Sequence, residues 1–350
     1  MPFLPSLNSL RFFGALSVIF LHMGSRDWFQ AAGLEEYHVL ISGNNGVVLF
    51  YVLSGFLLTT LALSEIETQG KFKFVKFMGR RVRRLFPLYY LAISVLFGLN
   101  VLGIVKISWN SFVYALSYSY NFVPKAEYSQ HLGPFHTLAT EEHFYLLFAV
   151  IFLLSNLVPN KWKPFGLFLV FASTLLSLDL LLPLASGSYD SHFVSRWTFI
   201  AAKPLFIGVL GAIVANSTSL GVLPRRLIGR NYDSVKNLTL LLTFVGLYGS
   251  QVFSSNQTLT SISFLALIIY LRETRDSRLS RVLSAPLLVY FGTISYGLYV
   301  WAAVLVGTSP GSWLMSNPLL LLLAVFLCSI VSFELLEKRF TSRRRNKADL

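Results

Sequence analysis

The chain has 350 residues, 54% of them hydrophobic and only 13% charged, with 31 Phe, 16 Tyr and 6 Trp. A soluble domain carries roughly 25% charged residues. This composition therefore excludes a soluble fold and intrinsic disorder, and the single cysteine, Cys328, excludes a disulfide scaffold. Twenty-nine Lys and Arg against 16 Asp and Glu leave a formal charge of +13, which a membrane protein must first explain by topology.

A helix crossing the hydrocarbon needs about 20 mostly apolar residues. In chain order, ten segments meet or approach that length: 7–24, 42–63, 86–104, 139–158, 165–184, 198–215, 237–253, 258–271, 287–306 and 318–336. The first has no basic leader and no small-residue cleavage pattern, so it is expected to stay as a span and not act as a signal peptide. With the N-terminus inside, the inner connections 64–85, 159–164, 216–236, 272–285 and the tail from 337 carry 7, 2, 4, 4 and 6 Lys plus Arg. The outer loops hold only Arg26, Lys106, Lys125 and Arg196. This asymmetry predicts an all-α polytopic bundle of about ten spans with both termini cytoplasmic. Residues 1–340 read as one integral-membrane unit and 341–350 as a basic tail touching lipid headgroups. Topology absorbs the charge, so no nucleic-acid partner is expected. The aromatic outer excursion 105–138, with Trp109, Phe112, Tyr114, Tyr118, Tyr120 and Phe122, suits an interfacial or re-entrant helix.

A charge within the hydrocarbon costs roughly 3 kcal/mol, which makes each one a functional candidate. Arg11 and His22 share the first span. Eleven residues at about 100° each return to the same face, about 16 Å further along the axis. The pair therefore reads as lining a polar passage; the ordinary alternative is an Arg snorkelling to headgroups and an interfacial His. Arg80, Arg81, Arg83 and Arg84 precede the third span. Arg81 and Arg84, at i and i+3, can converge on one phosphate through their guanidinium forks, although an orientation signal is an equal reading. Glu141 and Glu142 open the fourth span beside His136 and His143, which read as rim residues. A carboxylate accepting a His N–H fixes the tautomer and raises basicity. His22 and Glu141 both fall near outer span ends, so their contact is geometrically open, against a solvated rim cluster. Glu337, ahead of Lys338 and Arg339, has a local ion pair as its plain explanation. There is no metal-ligand spacing, Walker loop, dinucleotide fingerprint or Gly-x-Ser-x-Gly elbow.

Several stretches together resemble one family. Leu7-Asn8-Ser9-Leu10-Arg11 followed by Leu21-His22 is similar to the opening Arg-x10-His pattern of integral-membrane acyltransferase family 3. Residues Gly46 to Leu57, with Ser54 in Leu-Ser-Gly-Phe, resemble its second-span stretch. Arg81-x-x-Arg84-x-x-Pro87 with Tyr89 and Tyr90 resembles its Arg-rich third-span motif, and Leu138 to Tyr145 its Glu motif, which places Glu141 on the family's Glu. Ile294 to Tyr299 and Glu337 to Phe340 resemble the closing motifs. Departures are His136-Thr137 for Trp-Ser, Val48 for Asp, Arg339 for Pro, and Ala302 where many members have His.

The resemblance implies transfer of an acyl group, most often acetyl, from cytoplasmic acetyl-CoA or another acyl-CoA to a carbohydrate hydroxyl. Lipopolysaccharide O-antigen, exopolysaccharide and peptidoglycan are the acceptor classes it suggests, and a bacterial cytoplasmic (inner) membrane the location. Under it His22 is the general base and Glu141 its orienting partner. Arg11, Arg81, Arg84 and Tyr89 bind the donor or line its passage, while Ser54, Tyr145 and Glu337 support the site. No bound cofactor and no metal are expected. A second route acylates His22 transiently. With no hydrolase-like domain attached, the membrane unit is expected to act alone or with a separate partner. The rival classes are a flippase for an anionic lipid-linked sugar, for which no inverted repeat is visible, and a non-catalytic subunit of a polysaccharide assembly.

Overall fold

The computed structural model describes residues 4–23, 43–159, 163–186, 196–216, 257–307 and 317–342, together with residues 237, 241 and 243. The expected span at 237–253 otherwise lies outside the described residues. All described regular structure is helical. In order, it comprises α1 (Pro5–His22), α2 (Gly43–Gln69), α3 (Phe74–Val101), α4 (Trp109–Leu116), α5 (Phe135–Leu154), α6 (Lys163–Ser186) and α7 (Thr198–Ala201). Next come α8 (Lys203–Asn216), α9 (Gln257–Glu273), α10 (Arg278–Leu283), α11 (Pro286–Thr293), α12 (Ser295–Gly307), α13 (Pro318–Ser332) and α14 (Lys338–Ser342).

Among the described residues, four helices are long and apolar enough to cross a membrane: Gly43–Gln69, Phe74–Val101, Phe135–Leu157 and Pro318–Phe340. The bent pair α11 and α12 adds a broken fifth. Helices also occupy the other expected spans at α1, α6, α8 and α9, but among the described residues these do not meet the same length and hydropathy test.

The bundle centre is the α2–α8 crossing. A Cβ added at Gly55 would sit 2.2 Å from the Leu205 carbonyl oxygen, and one at Gly208 2.2 Å from the Val52 carbonyl oxygen. The two backbones are in contact, which only glycine permits, and close approach of this kind holds helices together where no hydrophobic force separates lipid from protein. Phe144, Phe148, Phe152, Phe171 and Phe206 fill one side, with Phe148 and Phe152 stacked at 4.3 Å. On the other side α1 packs on α2, α11 and α12. Asn8 is the polar tie there, donating to the Val289 carbonyl at 2.8 Å and the Thr293 hydroxyl at 2.9 Å.

One expected boundary is corrected. The inner connection is not 64–85 but the four residues 70–73, because α2 continues to Gln69 and α3 begins at Phe74. Hydropathy ends at the basic residues, whereas packing does not. Phe72 and Phe77 are buried against Phe152 and Phe148, and the Asn156 side chain pairs with both backbone groups of Phe72 at 2.9 and 3.0 Å. Arg80 to Arg84 therefore lie inside a continuous helix, just before Pro87, whose ring deprives the Arg83 carbonyl of its usual donor.

Two further irregularities were not legible. The span expected at 287–306 breaks at Ile294 with a 59° bend. The last span passes into a π-turn at Phe333–Glu337. Such departures inside membrane helices persist where they line a cavity or are buried in protein, and π-turns favour functional positions.

The excursion folds as α4 and three short 3₁₀ turns over the C-terminal end of α3 and the N-terminal end of α5. Ser108 caps α4 by accepting the Ser111 N–H. Phe112 and Ala115 are buried, while Trp109, Val113 and Leu116 face outward, which matches the interfacial expectation. Glu127 pins the cap by accepting from the Ser108 hydroxyl and the Asn110 amide. Those two bonds hold its carboxyl below the usual carboxylate range.

Candidate active site

A cavity with about 630 Å³ of unfilled space, part of it open to the outside, lies where α1, α2, α3, α5 and α12 meet. Its charged lining is Arg11 from α1, Arg81 and Arg84 from α3, and Glu141 from α5. Tyr51, Ser54, Thr137, Tyr145, Ser295, Tyr296 and Tyr299 add hydroxyl-bearing residues to the lining.

The helical period sorts the four arginines of α3. Arg81 and Arg84, three residues apart, turn into the cavity as expected. Arg80 instead reaches the buried Glu65 at 3.6 Å, and Arg83 folds back on the Gly79 carbonyl at 2.9 Å. The Arg81 guanidinium lies 5.5 Å over the Tyr145 ring, and its Nε is buried with no hydrogen-bond partner. Such a cation–π contact replaces only part of the lost hydration, so the group is under-satisfied.

Glu141 is fixed from two sides. Ser54 donates to its Oε1 at 2.8 Å, and the Tyr145 hydroxyl donates to the same oxygen. Tyr145 lies one turn further along α5, so the i, i+4 spacing supplies this bond. Arg11 bonds Asn8 at 3.5 Å and lies within electrostatic reach of Glu141, Arg81 and Arg84. Glu337 is 4% exposed and faces Arg84, which attracts it. The local ion pair expected there forms instead between Lys338 and Glu334, at 2.6 Å, and the π-turn carries Glu337 to the inner side.

Two expected placements differ. His22 is exposed at the end of α1 and is not among the cavity residues. Its neighbour Leu21 packs on Gly43, about one helical turn from Val47, where the α2 lining begins. Glu141 therefore takes its bonds from Ser54 and Tyr145 and not from His22, since roughly three turns of α1 separate His22 from Arg11. Tyr89 also lies off the cavity. It is fully buried, donates to the Ala115 carbonyl at 2.8 Å, and stacks on Tyr118 at 3.8 Å, pinning the excursion to α3.

His143 is held by Thr198 at 2.8 Å and stacks on Phe122, in keeping with its reading as a rim residue. Two of the departures from the family pattern sit in the apolar core, whereas Thr137 lines the cavity. Val48 is buried among apolar residues of α1, α8 and α9, and Ala302 is fully buried beside Ala15 and Ile19. Among the described residues no cluster of His, Cys, Asp and Glu could hold a metal ion.

The sequence profile described as an acyltransferase domain, acyltransferase family 3, matches residues 4–336, nearly the whole chain and every helix that lines the cavity. The chain belongs to the acyltransferase 3 family. Two relatives come from Staphylococcus aureus. A provisionally named O-acetyltransferase of strain COL is 27% identical over 317 residues, covering 86% of this chain and 50% of that protein. The O-acetyltransferase OatA of strain NCTC 8325 is 27% identical over 318 residues, covering 85% and 50%. The chain thus spans about half the length of these curated relatives. No solved structure matches it. As a member of acyltransferase family 3, it is a membrane protein whose cavity residues fall within the matched region.

Sequence reasoning missed Tyr51, Thr137, Ser295, Tyr296 and Tyr299 as lining residues. All five lie in or beside the family-like stretches, but hydroxyl side chains among apolar neighbours carry no charge signal. Their positions are nevertheless built. Tyr51 donates to the Thr137 carbonyl at 2.9 Å, Tyr296 to the Leu85 carbonyl at 3.0 Å, and Tyr299 shares a hydrogen bond with the Thr137 hydroxyl.

Proposed function

We propose that this chain is a membrane O-acyltransferase moving an acetyl group from cytoplasmic acetyl-CoA to a carbohydrate hydroxyl. The carrying observation is the convergence of Arg11, Arg81 and Arg84 in one cavity that, among the described residues, has Glu141 as its one lining carboxylate. Three guanidinium groups among apolar spans match a ligand with several phosphate oxygens, and their forks suit it better than ammonium would. The names of the staphylococcal relatives support O-acetyl transfer. The ten-span topology with cytoplasmic termini, in a bacterial inner membrane, brings the donor to the arginine side.

In this reading Arg81 and Arg84 hold the donor phosphates, and Arg11 draws the acyl end inward. The acceptor enters from the opposite end, where His22 stands. His22 takes the proton of the acceptor hydroxyl, whose oxygen bonds to the acyl carbon. The carbon–sulfur bond breaks, and the thiolate leaves and is protonated. General base catalysis of this kind contributes roughly 10²–10⁴-fold. Glu141, locked by Ser54 and Tyr145, balances the arginines so that the empty cavity is not excessively cationic.

The test is thiol release from acetyl-CoA by the full chain in nanodiscs, with surface-polysaccharide acceptors, for wild type and His22→Ala. Acceptor-dependent release that His22→Ala loses is the expected result. Full release by His22→Ala would remove His22 from the chemistry, and absence of release in wild type would overturn acyl transfer.

A further inference from the structure

Glu142 follows Glu141 on α5 but is not among the cavity residues. One residue turns a helix by about 100°, so Glu142 meets a different set of neighbours from Glu141. Its Oε1 is buried and has no hydrogen-bond partner among the described residues. A carboxylate oxygen so placed is costly, because a buried charged group loses more hydration than a neutral one. Within electrostatic reach of it are Glu141 on its own helix, Arg81 and Tyr89 of α3, Tyr118 of the excursion and Tyr296 of α12.

Hydrogen bonds sort these neighbours. The Tyr89 hydroxyl is committed to the Ala115 carbonyl at 2.8 Å and that of Tyr296 to the Leu85 carbonyl at 3.0 Å. Two donors remain, the Tyr118 hydroxyl and the Arg81 Nε–H, each buried with no partner among the described residues. Tyr118 is 8% exposed and stacks on Tyr89 at 3.8 Å and on Phe86 at 4.9 Å. Its φ of 54° is a left-handed value that a bulky residue rarely takes. The stacked rings fix where its hydroxyl sits. The Arg81 guanidinium lies 5.8 Å from the Phe77 ring and 5.5 Å from the Tyr145 ring. Ring contacts hold such a group in place without fixing its rotation in its own plane, whereas a hydrogen bond at Nε is directional.

We infer that Glu142 is a positioning residue for Arg81: with the Tyr118 hydroxyl it holds a bridging water on the Arg81 Nε–H, which turns the two terminal guanidinium nitrogens toward the donor phosphate. The water accepts from Arg81 and Tyr118 and donates to Glu142, and about three bonds is the usual complement of an enclosed water. A guanidinium fixed beforehand loses less freedom when phosphate binds, so positioning is read as affinity. Resting on the reading of Arg81 as a donor-phosphate ligand, this role predicts a sign. A carboxylate acting on the phosphate only through its charge would repel it, and its removal would tighten binding. One that positions Arg81 weakens binding when it is removed.

The experiment measures CoA binding by isothermal titration, with the full chain in nanodiscs. Glu142→Ala is expected to weaken binding by about tenfold and Tyr118→Phe by about threefold, on the scale of buried hydrogen bonds to charged and neutral groups. Glu142→Gln keeps an accepting oxygen and should bind at least as tightly as wild type. Arg81→Lys keeps the charge but loses the Nε–H, so adding Glu142→Ala to it should cost no more than about twofold further, while adding it to Arg84→Lys should cost the full tenfold or so. Thermal unfolding checks each variant, and if Glu142→Ala does not fold, Tyr118→Phe on the same two backgrounds carries the test. Tighter binding by Glu142→Ala would reduce Glu142 to a nearby charge, and equal losses on the two backgrounds would reduce it to a packing residue; either overturns the assignment. Wild type that binds CoA but releases no thiol defeats acyl transfer and leaves this role to be decided by the affinities. Wild type that binds no CoA defeats both.

Discussion

Charges facing the cavity and charges facing outward differ here in what surrounds them and not in what they are. Arg80 and Arg81 are sequence neighbours on α3, yet Arg80 turns away from the cavity to reach the buried Glu65 while Arg81 lies over Tyr145 with an unpaired Nε. Arg83 and Arg84 divide in the same way, one capping the Gly79 carbonyl and the other facing the cavity. The carboxylates repeat the pattern. Glu127 is tied within the exposed cap by Ser108 and Asn110, whereas Glu141 is tied within the cavity by Ser54 and Tyr145. An exposed charge such as Arg83 is screened and contributes little, while one turned into the cavity meets less water to replace its partner. Function is expected to follow that division.

The largest effect should come from the arginines. Arg84→Ala is expected to weaken CoA binding by about 3 kcal/mol, roughly 100-fold, because it removes one partner of a desolvated charge contact. Arg83→Ala should leave binding within about twofold, since exposed charges contribute under roughly 1 kcal/mol. Isothermal titration of both variants decides it, and equal losses would dissolve the distinction between the two faces. Next in size is the lock on Glu141. Tyr145→Phe removes a bond to a charged acceptor, worth about 1.5–3 kcal/mol, and should lower turnover by about tenfold or more. CoA titration of the same protein should change much less, and the reverse pattern would place Tyr145 with donor binding.

The smallest effect concerns Glu127. Its carboxyl is held below the ordinary range, so its tie to the cap is fully present above the unfolded carboxylate value of about 4.3. The tie is lost as pH falls through the lower, folded value. Amide exchange across 105–134 should therefore quicken only under strongly acidic conditions, and Glu127→Gln should remove that pH dependence. Exchange that quickens well above that window in wild type would show another group in control.

Much of the site could be read from residue order because it follows helical arithmetic. Arg81 and Arg84 converge through i, i+3 spacing, and Glu141 bonds Tyr145 through i, i+4. Ser54, Arg11 and Glu337 also reach the cavity or its charges. His22 and Tyr89 show where that arithmetic stops. Period put His22 on the Arg11 face about 16 Å further along α1, but it could not tell that Glu141 lies at the Arg11 end, bonded to Ser54 and Tyr145, or that Tyr89 packs on the excursion instead of lining the passage.

Composition and hydropathy were enough to determine an all-helical membrane chain and helical spacing to put Arg81 and Arg84 on one face, because these depend on local transfer energies and fixed periods, while the order of short motifs carried the family resemblance. Tertiary packing alone decided the extension of α3 back to Phe74, the 59° break at Ile294 and the π-turn that carries Glu337 inward. In each case backbone or side-chain groups that would be unfavourable in lipid are satisfied by partners distant in sequence, such as Asn156 for Phe72 and Asn8 for Thr293. No local window contains both members of such a pair.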